Sequence, residues 1–243
     1  MSFIELEDIT FSYDHQPGLA GFSASIRKGA SVAVIGPNGS GKSTLLKLLN
    51  GLILSKNGVY RFDREVINNA FLKNSARAKR FHQRVGFVFQ NSDAQLFSPT
   101  VFEEIAFGPW QMDIPDDEVN KRVFDCLQLL GIEHLKHREP HHLSEGEKKK
   151  VAIAAVLALN PEVLVLDEPM EGLDPRTKAS LRNVLLSLHE AGKTIIGATH
   201  EFDYVKGVFD SVIVLSNEHA VVSRGRFERV VRDKKFLRRH NII

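Results

Sequence analysis

Ser31-Val32-Ala33-Val34-Ile35-Gly36-Pro37-Asn38-Gly39-Ser40-Gly41-Lys42-Ser43 is the stretch that decides the fold. Val32 to Ile35 form an unbroken apolar run, which suits a strand covered on both faces. The residues from Gly36 to Ser43 fit G-x-x-x-x-G-K-[ST], and an apolar helical pattern follows directly over 43–49. The glycines let backbone N–H groups turn inward, the helix N-terminus adds the positive end of its dipole, and Lys42 supplies a point charge. Strand, anion-cradling loop and helix in that order predict a phosphate loop, with Ser43 placed to ligate Mg²⁺. A plain glycine-rich turn between a strand and a helix would not require Lys-Ser at its end.

Outward from this loop, short apolar runs recur at Val85-Gly86-Phe87-Val88-Phe89, Val163-Leu164-Val165-Leu166, Thr194-Ile195-Ile196 and Val212-Ile213-Val214-Leu215. Helical patterns such as 177–190 separate several of them, so an α/β layered core with a largely parallel sheet is predicted. Before residue 30 the pattern changes. Phe3-Ile4-Glu5-Leu6-Glu7 and Phe11-Ser12-Tyr13 partly alternate, which predicts an antiparallel edge sheet added to the core. Between 91 and 160 the strand signal disappears and helical patterns run over 100–107, 116–130 and 145–159. The expected organisation is one unit over 1–243, with an α/β core and antiparallel β part over 1–90 and 161–243 and an inserted helical subdomain over 91–160. No internal repeat or long heptad array interrupts it. The stretch 234–239 reads as a short solvated helix.

Composition narrows the class. A chain of 243 residues with 43% hydrophobic and 26% charged residues has the balance of an ordinary globular protein. The formal net charge is +2, without the basic stripe of a nucleic-acid binder, so no nucleic-acid partner is expected. The single cysteine, Cys126, lies in an apolar helical pattern and is expected in the core. The N-terminus lacks the features of a signal peptide, and the longest apolar stretch, 151–159, is far below the roughly 18 residues that cross a bilayer. A membrane role therefore requires a partner.

Val163-Leu164-Val165-Leu166-Asp167-Glu168 is an apolar strand ending in two acids. Carboxylates at the carboxyl end of such a strand face the ligand crevice of parallel sheets. Downstream of a phosphate loop, Asp167 is placed to hold Mg²⁺ and Glu168 to polarise an attacking water.

Three further stretches carry a family resemblance: His142-Leu143-Ser144-Glu145-Gly146-Glu147, Gln90 after one strand, and Ala198-Thr199-His200 after another. With the two motifs above they resemble the ABC transporter ATPases over nearly the whole chain. The resemblance implies a P-loop NTPase core with an N-terminal antiparallel β subdomain and an inserted α-helical subdomain, with ATP and Mg²⁺ as cofactors. It implies nucleotide contacts from Gly36, Asn38, Gly39, Ser40, Gly41, Lys42, Ser43 and Thr44, and adenine stacking on Tyr13. Mg²⁺ would be held by Ser43, Gln90 and Asp167, with Glu168, His200 and Gln90 serving catalysis. Gln90 matches the glutamine that senses Mg²⁺ and the membrane partner, His200 the switch histidine at the γ-phosphate, and Leu173-Asp174 the loop after the catalytic acids. Ser144 and Gly146 match the signature motif, which acts on ATP held by a second ATPase, identical or paralogous. The common signature LSGGQ is altered at Glu145 and Glu147, and Ser144-Glu145-Gly146-Glu147 also fits a capping box in which Glu147 serves the helix end.

Val88-Phe89-Gln90-Asn91-Ser92-Asp93-Ala94-Gln95-Leu96-Phe97, then Pro99-Thr100-Val101 and Ala106-Phe107-Gly108-Pro109, resemble the energy-coupling-factor importers, above all their cobalt and nickel branch. This implies a motor subunit on the cytoplasmic face of the cell membrane, with a transmembrane coupling protein and a substrate-capturing membrane subunit as partners. Import of vitamins, or a non-transport ABC ATPase, are the alternative readings. Chromosome-maintenance ATPases need long coiled-coil arms that this chain lacks, and a non-catalytic module would lack Glu168 or His200. The surface of Gln90, Gln95, Leu96, Phe97, Val101 and Phe102 is expected to receive a short helix of the membrane protein. His134, His137, His141 and His142 are read as a solvated connector, because Pro140 breaks the helix that would align them.

Overall fold

A computed structural model describes residues 2–14 and 16–243. In chain order its strands are β1 (Ile4–Tyr13), β2 (Gln16–Ile26), β3 (Ser31–Ile35), β4 (Asn57–Phe62), β5 (Glu65–Val66), β6 (Val85–Val88), β7 (Val163–Asp167), β8 (Thr194–Ala198), β9 (Ser211–Leu215) and β10 (Val221–Arg226). Its α-helices are α1 (Lys42–Leu49), α2 (Asn69–Lys73), α3 (Ser75–Arg84), α4 (Val101–Gln111), α5 (Asp116–Leu130), α6 (Glu145–Leu157), α7 (Pro175–Glu190), α8 (Phe227–Arg232) and α9 (Lys234–Arg239).

The six-stranded sheet has the order β10-β9-β3-β8-β7-β6. Pairing is parallel from β9 to β6, and β10 closes one edge antiparallel to β9. The unbroken apolar runs are explained by burial on both sides. Successive side chains point to opposite faces, so Val32 and Val34 of β3, Val163 and Val165 of β7 and Ile196 of β8 join one core with Leu45, Leu46, Leu48 and Leu49 of α1. Ala33, Ile35, Leu164, Leu166 and Ile195 face the other way, into a second core built with α4, α5, α6 and α7.

The N-terminal strands form the antiparallel β part that was expected, set apart from the central sheet rather than joined to its edge. They form a separate four-stranded antiparallel sheet, β2-β1-β4-β5, that is not hydrogen-bonded to the central sheet. Its apolar face, Ile4, Leu6, Ile9 and Phe22 among others, covers α1 from outside. The reason is that β1 is already paired along its length on both sides, with β2 and β4. Behind β4, Phe81 of α3 lies edge-on to Tyr60, Phe62 and Phe71.

Helices α4, α5 and α6 all lie between β6 and β7, where the strand signal vanishes. Cys126 is buried among them, and burial pushes its thiol up to about 12, which removes it as a nucleophile. The terminal helix α9 is not solvated all round, because Leu237 is fully buried.

Strand β6 meets α6 through Gly86. A Cβ at this position would collide with the Val156 side chain and lie 3.2 Å from Pro161 Cγ. Gly86→Val should therefore cost about 1–3 kcal/mol or more by overpacking, read as a lower urea midpoint; an unchanged midpoint would show that α6 yields freely.

Candidate active site

The carboxyl ends of β3, β8, β7 and β6 lie side by side in the sheet, and each is followed by a chemically distinctive residue. Residues 36–43 follow β3, His200 follows β8, Glu168 follows Asp167 at the end of β7, and Gln90 follows β6. The parallel register Asp167↔Ala198 and Val88↔Leu166 brings three of these ends level. Two adjoining cavities of about 390 and 460 Å³ open above them.

The first cavity is lined by Tyr13, Asn38, Gly39, Gly41, Lys42, Ser43, Thr44, Gln90, Asp167 and Glu168. The second is lined by Gly36, Asn38, Gln90, Glu168 and His200, together with Glu171. The structure thus gathers most of the residues singled out in the sequence. Ser40 is an exception. Its side chain is buried within the loop, where a Cβ on Gly36 would come within 2.7 Å of Ser40 Oγ, so it fills the loop interior. Ser144 and Gly146 line neither cavity.

The loop is shaped to hold an anion. Gly41 ends it at φ 98°, where a Cβ would fall on the Gly18 carbonyl oxygen. No side chain caps the N-terminus of α1, so its first N–H groups are left for a ligand. Lys42 Nζ is folded back, donating to the carbonyl oxygens of Gly36 at 2.9 Å and Pro37 at 3.1 Å. Burial lowers the Lys42 pKa, against the opposing pull of Glu168 and Asp167. A phosphate in the loop would oppose that burial and favour the charged ammonium.

Asp167 and Glu168 are both buried, yet their surroundings differ. Burial raises the Asp167 pKa, opposed by a hydrogen bond from Ser43 and by Lys47, Lys42 and Lys149. Asp167 Oδ1 is buried with no hydrogen-bond partner, the condition a cation ligand would satisfy. Glu168 sits at φ 46°, a left-handed conformation that costs a glutamate on the order of 1–3 kcal/mol. Its backbone is fixed by an N–H donated to Ala198 O at 3.1 Å, and its Oε2 accepts from the His200 backbone N–H at 3.2 Å. The His200 Nδ1 lies 3.0 Å from the same oxygen.

Gln90 Nε2 donates to Glu171 Oε2 at 2.6 Å. Tyr13 is 43% exposed, edge-on to Phe11, with its hydroxyl 3.5 Å from Thr44 Oγ1. Ser144 caps α6 as the capping box expects: Glu147 Oε2 accepts from the Ser144 N–H at 2.9 Å and hydroxyl at 2.7 Å. Those bonds hold the Glu147 carboxyl below the usual range. Asp174 caps α7, accepting from the N–H groups of Arg176 and Thr177.

The sequence reading missed Lys149. It is 4% exposed, and its Nζ donates to the backbone carbonyls of Phe89 at 3.1 Å and Gln90 at 2.6 Å. Burial lowers its pKa while Glu171, Asp167 and Glu145 pull it back up. It ties the signature helix to the backbone that carries Gln90. The sequence signal that could have found it is its spacing from Ala152, Ile153 and Val156, which puts it on the buried face of α6 although Lys148 and Lys150 flank it. Lys149→Met keeps the volume and removes both bonds. Misplacing a reacting geometry by about 1 Å can cost about 100-fold, so turnover should fall about tenfold or more with nucleotide affinity unchanged in a fluorescent-nucleotide titration. Equal turnover would make this lysine a packing residue.

Residues 19–171 match the family described as ABC transporter. A putative ABC transporter ATP-binding protein of Clostridium acetobutylicum is 53% identical over 240 residues, covering 99% of this chain and 100% of that one. The nickel import ATP-binding protein LarO of Lactiplantibacillus plantarum is 44% identical over 218 residues, 90% of each chain. The solved structure of cbiO1 from Clostridium perfringens, part of the ABC transporter complex cbiONQ, superposes with a TM-score of 0.83 at 37% identity, covering 99% of this chain and 95% of that one. A phosphate loop, two acids and a distant signature on this fold, matched over more than half the chain, have one family in common: the protein belongs to the ABC transporter ATPases and hydrolyses ATP.

Proposed function

We propose that this chain is the motor subunit of a membrane importer for a transition-metal ion, cobalt or nickel, docked on the cytoplasmic face of the membrane. The observation that carries the motor reading is the convergence of Lys42, Asp167, Glu168, Gln90 and His200 at the carboxyl ends of four adjacent strands. The cargo reading draws on the likeness to a nickel import ATP-binding protein and on the residues from Val88 to Phe97 that resemble the cobalt and nickel branch. Vitamin import through an energy-coupling-factor assembly is the second reading, favoured by the same stretch.

In this mechanism the loop N–H groups and Lys42 grip the phosphates, and Tyr13 stacks on adenine, an interaction worth about 1–3 kcal/mol. Ser43, the orphaned Asp167 and Gln90 would hold Mg²⁺, which supplies charge neutralisation on the phosphate oxygens. For this Gln90 must leave Glu171. Glu168 takes the proton of the attacking water. His200, already in contact with Glu168 Oε2, orients that carboxylate and reaches the γ-phosphate. Ser144 and Gly146, which line neither cavity, match the signature motif and on that resemblance act on the nucleotide of a second cassette, in a head-to-tail pair with two composite sites. The helical stretch 91–160 is the unit that carries this signature and the membrane contact.

Among the described residues no helix is long and apolar enough to cross a membrane, so force must pass to a partner. The expected docking surface changes in detail. Val101 is fully buried, and Gln95 is engaged, accepting from the Phe89 N–H and donating to Ala152 O, so neither is free for a partner. The apolar cap of α4 is what shows: Phe97 is 67% exposed and lies edge-on to Phe107, itself 40% exposed like Trp110. Buried Glu104 fixes the Phe97 loop by accepting from the N–H groups of Phe97 and Ser98. This patch would take a short helix of the coupling protein, with few buried anchors carrying the affinity.

Glu168→Gln should lower turnover by about 10²–10⁴ while ATP still binds and drives pairing, read by size measurements with and without ATP. Turnover near wild type would remove Glu168 from the mechanism. Phe97→Asp should abolish co-purification with the coupling protein while the isolated subunit keeps its basal ATPase rate. Normal assembly and uptake in that variant would place the docking surface elsewhere.

A further inference from the structure

Among the described residues, one cluster outside the nucleotide cavities combines metal-ligating side chains. Glu139, His141 and His142 each offer a ligand atom, and these lie within 4.8 Å of one another. Glu139 Oε2 is 3.0 Å from His141 Nε2 and 3.5 Å from His142 Nδ1. Metal–ligand bonds of about 2.0–2.1 Å leave neighbouring ligand atoms about 3–3.5 Å apart in tetrahedral or octahedral geometry. Glu139 Oε2 already stands at that spacing from both imidazole nitrogens, and all three atoms lie within 4.8 Å of one another.

The backbone beneath is fixed although the side chains are exposed. Residues Pro140–His142 form a 3-10 turn led by a buried proline, closed by the His142 N–H on Glu139 O at 3.1 Å and the Leu143 N–H on Pro140 O at 3.2 Å. Proline also breaks the helix that would have brought His134 and His137 to the same face, so the four-histidine grouping resolves into two histidines and a carboxylate. Two imidazoles with one carboxylate select a borderline transition-metal ion over Mg²⁺ or Ca²⁺, which prefer all-oxygen sites.

We propose that Glu139, His141 and His142 bind one divalent transition-metal ion per chain, and that its occupancy slows ATP turnover. The ion clamps the turn that leads through buried Leu143 directly into Ser144, the residue argued above to act on the second cassette's nucleotide. An ion that holds this turn opposes any closure that must move Ser144. Binding rests on these side chains alone, whereas the slowing rests on the pairing in the proposed function.

The test uses the full chain without nucleotide, in excess Mg²⁺, titrated with Ni²⁺ and Zn²⁺ against a chromophoric chelator. Wild type should bind one equivalent, which His141→Ala/His142→Ala should lose. Glu139→Gln should weaken it about tenfold, a loss of about 1.4 kcal/mol. His134→Ala/His137→Ala should leave it unchanged. Thermal unfolding checks that the variants fold, as substitutions of exposed side chains should. No binding by wild type, or equal binding by the double variant, overturns the site. Turnover with Mg²⁺ and ATP should fall on adding Ni²⁺ in wild type and not in the double variant. Equal inhibition of both would overturn the regulatory role and leave the ion acting elsewhere.

Discussion

Every group argued to reach phosphate hangs from the carboxyl end of a strand, and those strands hold one another by parallel pairing. β3 registers Val34 against Ala198 of β8, β8 registers Ala198 against Asp167 of β7, and β7 registers Leu166 against Val88 of β6. A slip of one residue in any of these pairs would turn a buried side chain to the other face, and would move a ligand by more than 3 Å along the strand. Apolar burial on both faces makes such a slip costly, so the precision of the polar site is set by hydrophobic packing beneath it.

On that scaffold the charged groups are kept distinct by small differences of surroundings. Asp167 is deep, orphaned at Oδ1 and faced by lysines, which suits a cation ligand. Its neighbour Glu168 is turned by a left-handed backbone toward His200. Adjacent residues thus serve different atoms, because a strand ends between them. Lys149 solves a related problem: it holds the Gln90 backbone through carbonyl oxygens, which leaves the Gln90 side chain free to exchange Glu171 for another partner.

Much of this was legible from residue order. The apolar runs located five strands of the central sheet, and the motif from Gly36 to Ser43 located the anion loop, because glycine, lysine and helix start must be contiguous for that chemistry. The partial alternation of Phe3 to Glu7 and Phe11 to Tyr13 marked the N-terminal antiparallel sheet, but its strands β4 and β5 were not legible, since they carry mixed residues such as Asn57, Arg61 and Glu65 that do not alternate cleanly. Lys149 escaped because, within Lys148-Lys149-Lys150, the buried lysine looks like the lysines beside it until the carbonyls it meets are known. Val101 was misplaced on the surface, since an apolar residue at a helix start reads alike whether it faces the core or a partner. Ser40 was expected among the nucleotide contacts as part of the loop motif, and its side chain is buried inside the loop with its Oγ without a hydrogen-bond partner.

The central sheet also separates two apolar interiors that share no side chain. Residues of α1, beneath the phosphate loop, belong to one, and those of α4 to α7, beneath the exposed Phe97 patch, belong to the other. The separation is incomplete at the site, because Ile35, Val88 and Leu166, which lead into the loop, Gln90 and Asp167, lie in the same interior as the residues beneath the patch. Repacking beneath the patch is therefore felt at the site through the strand ends the two share, while α1 is packed apart from it, which makes the sheet the path between the two surfaces.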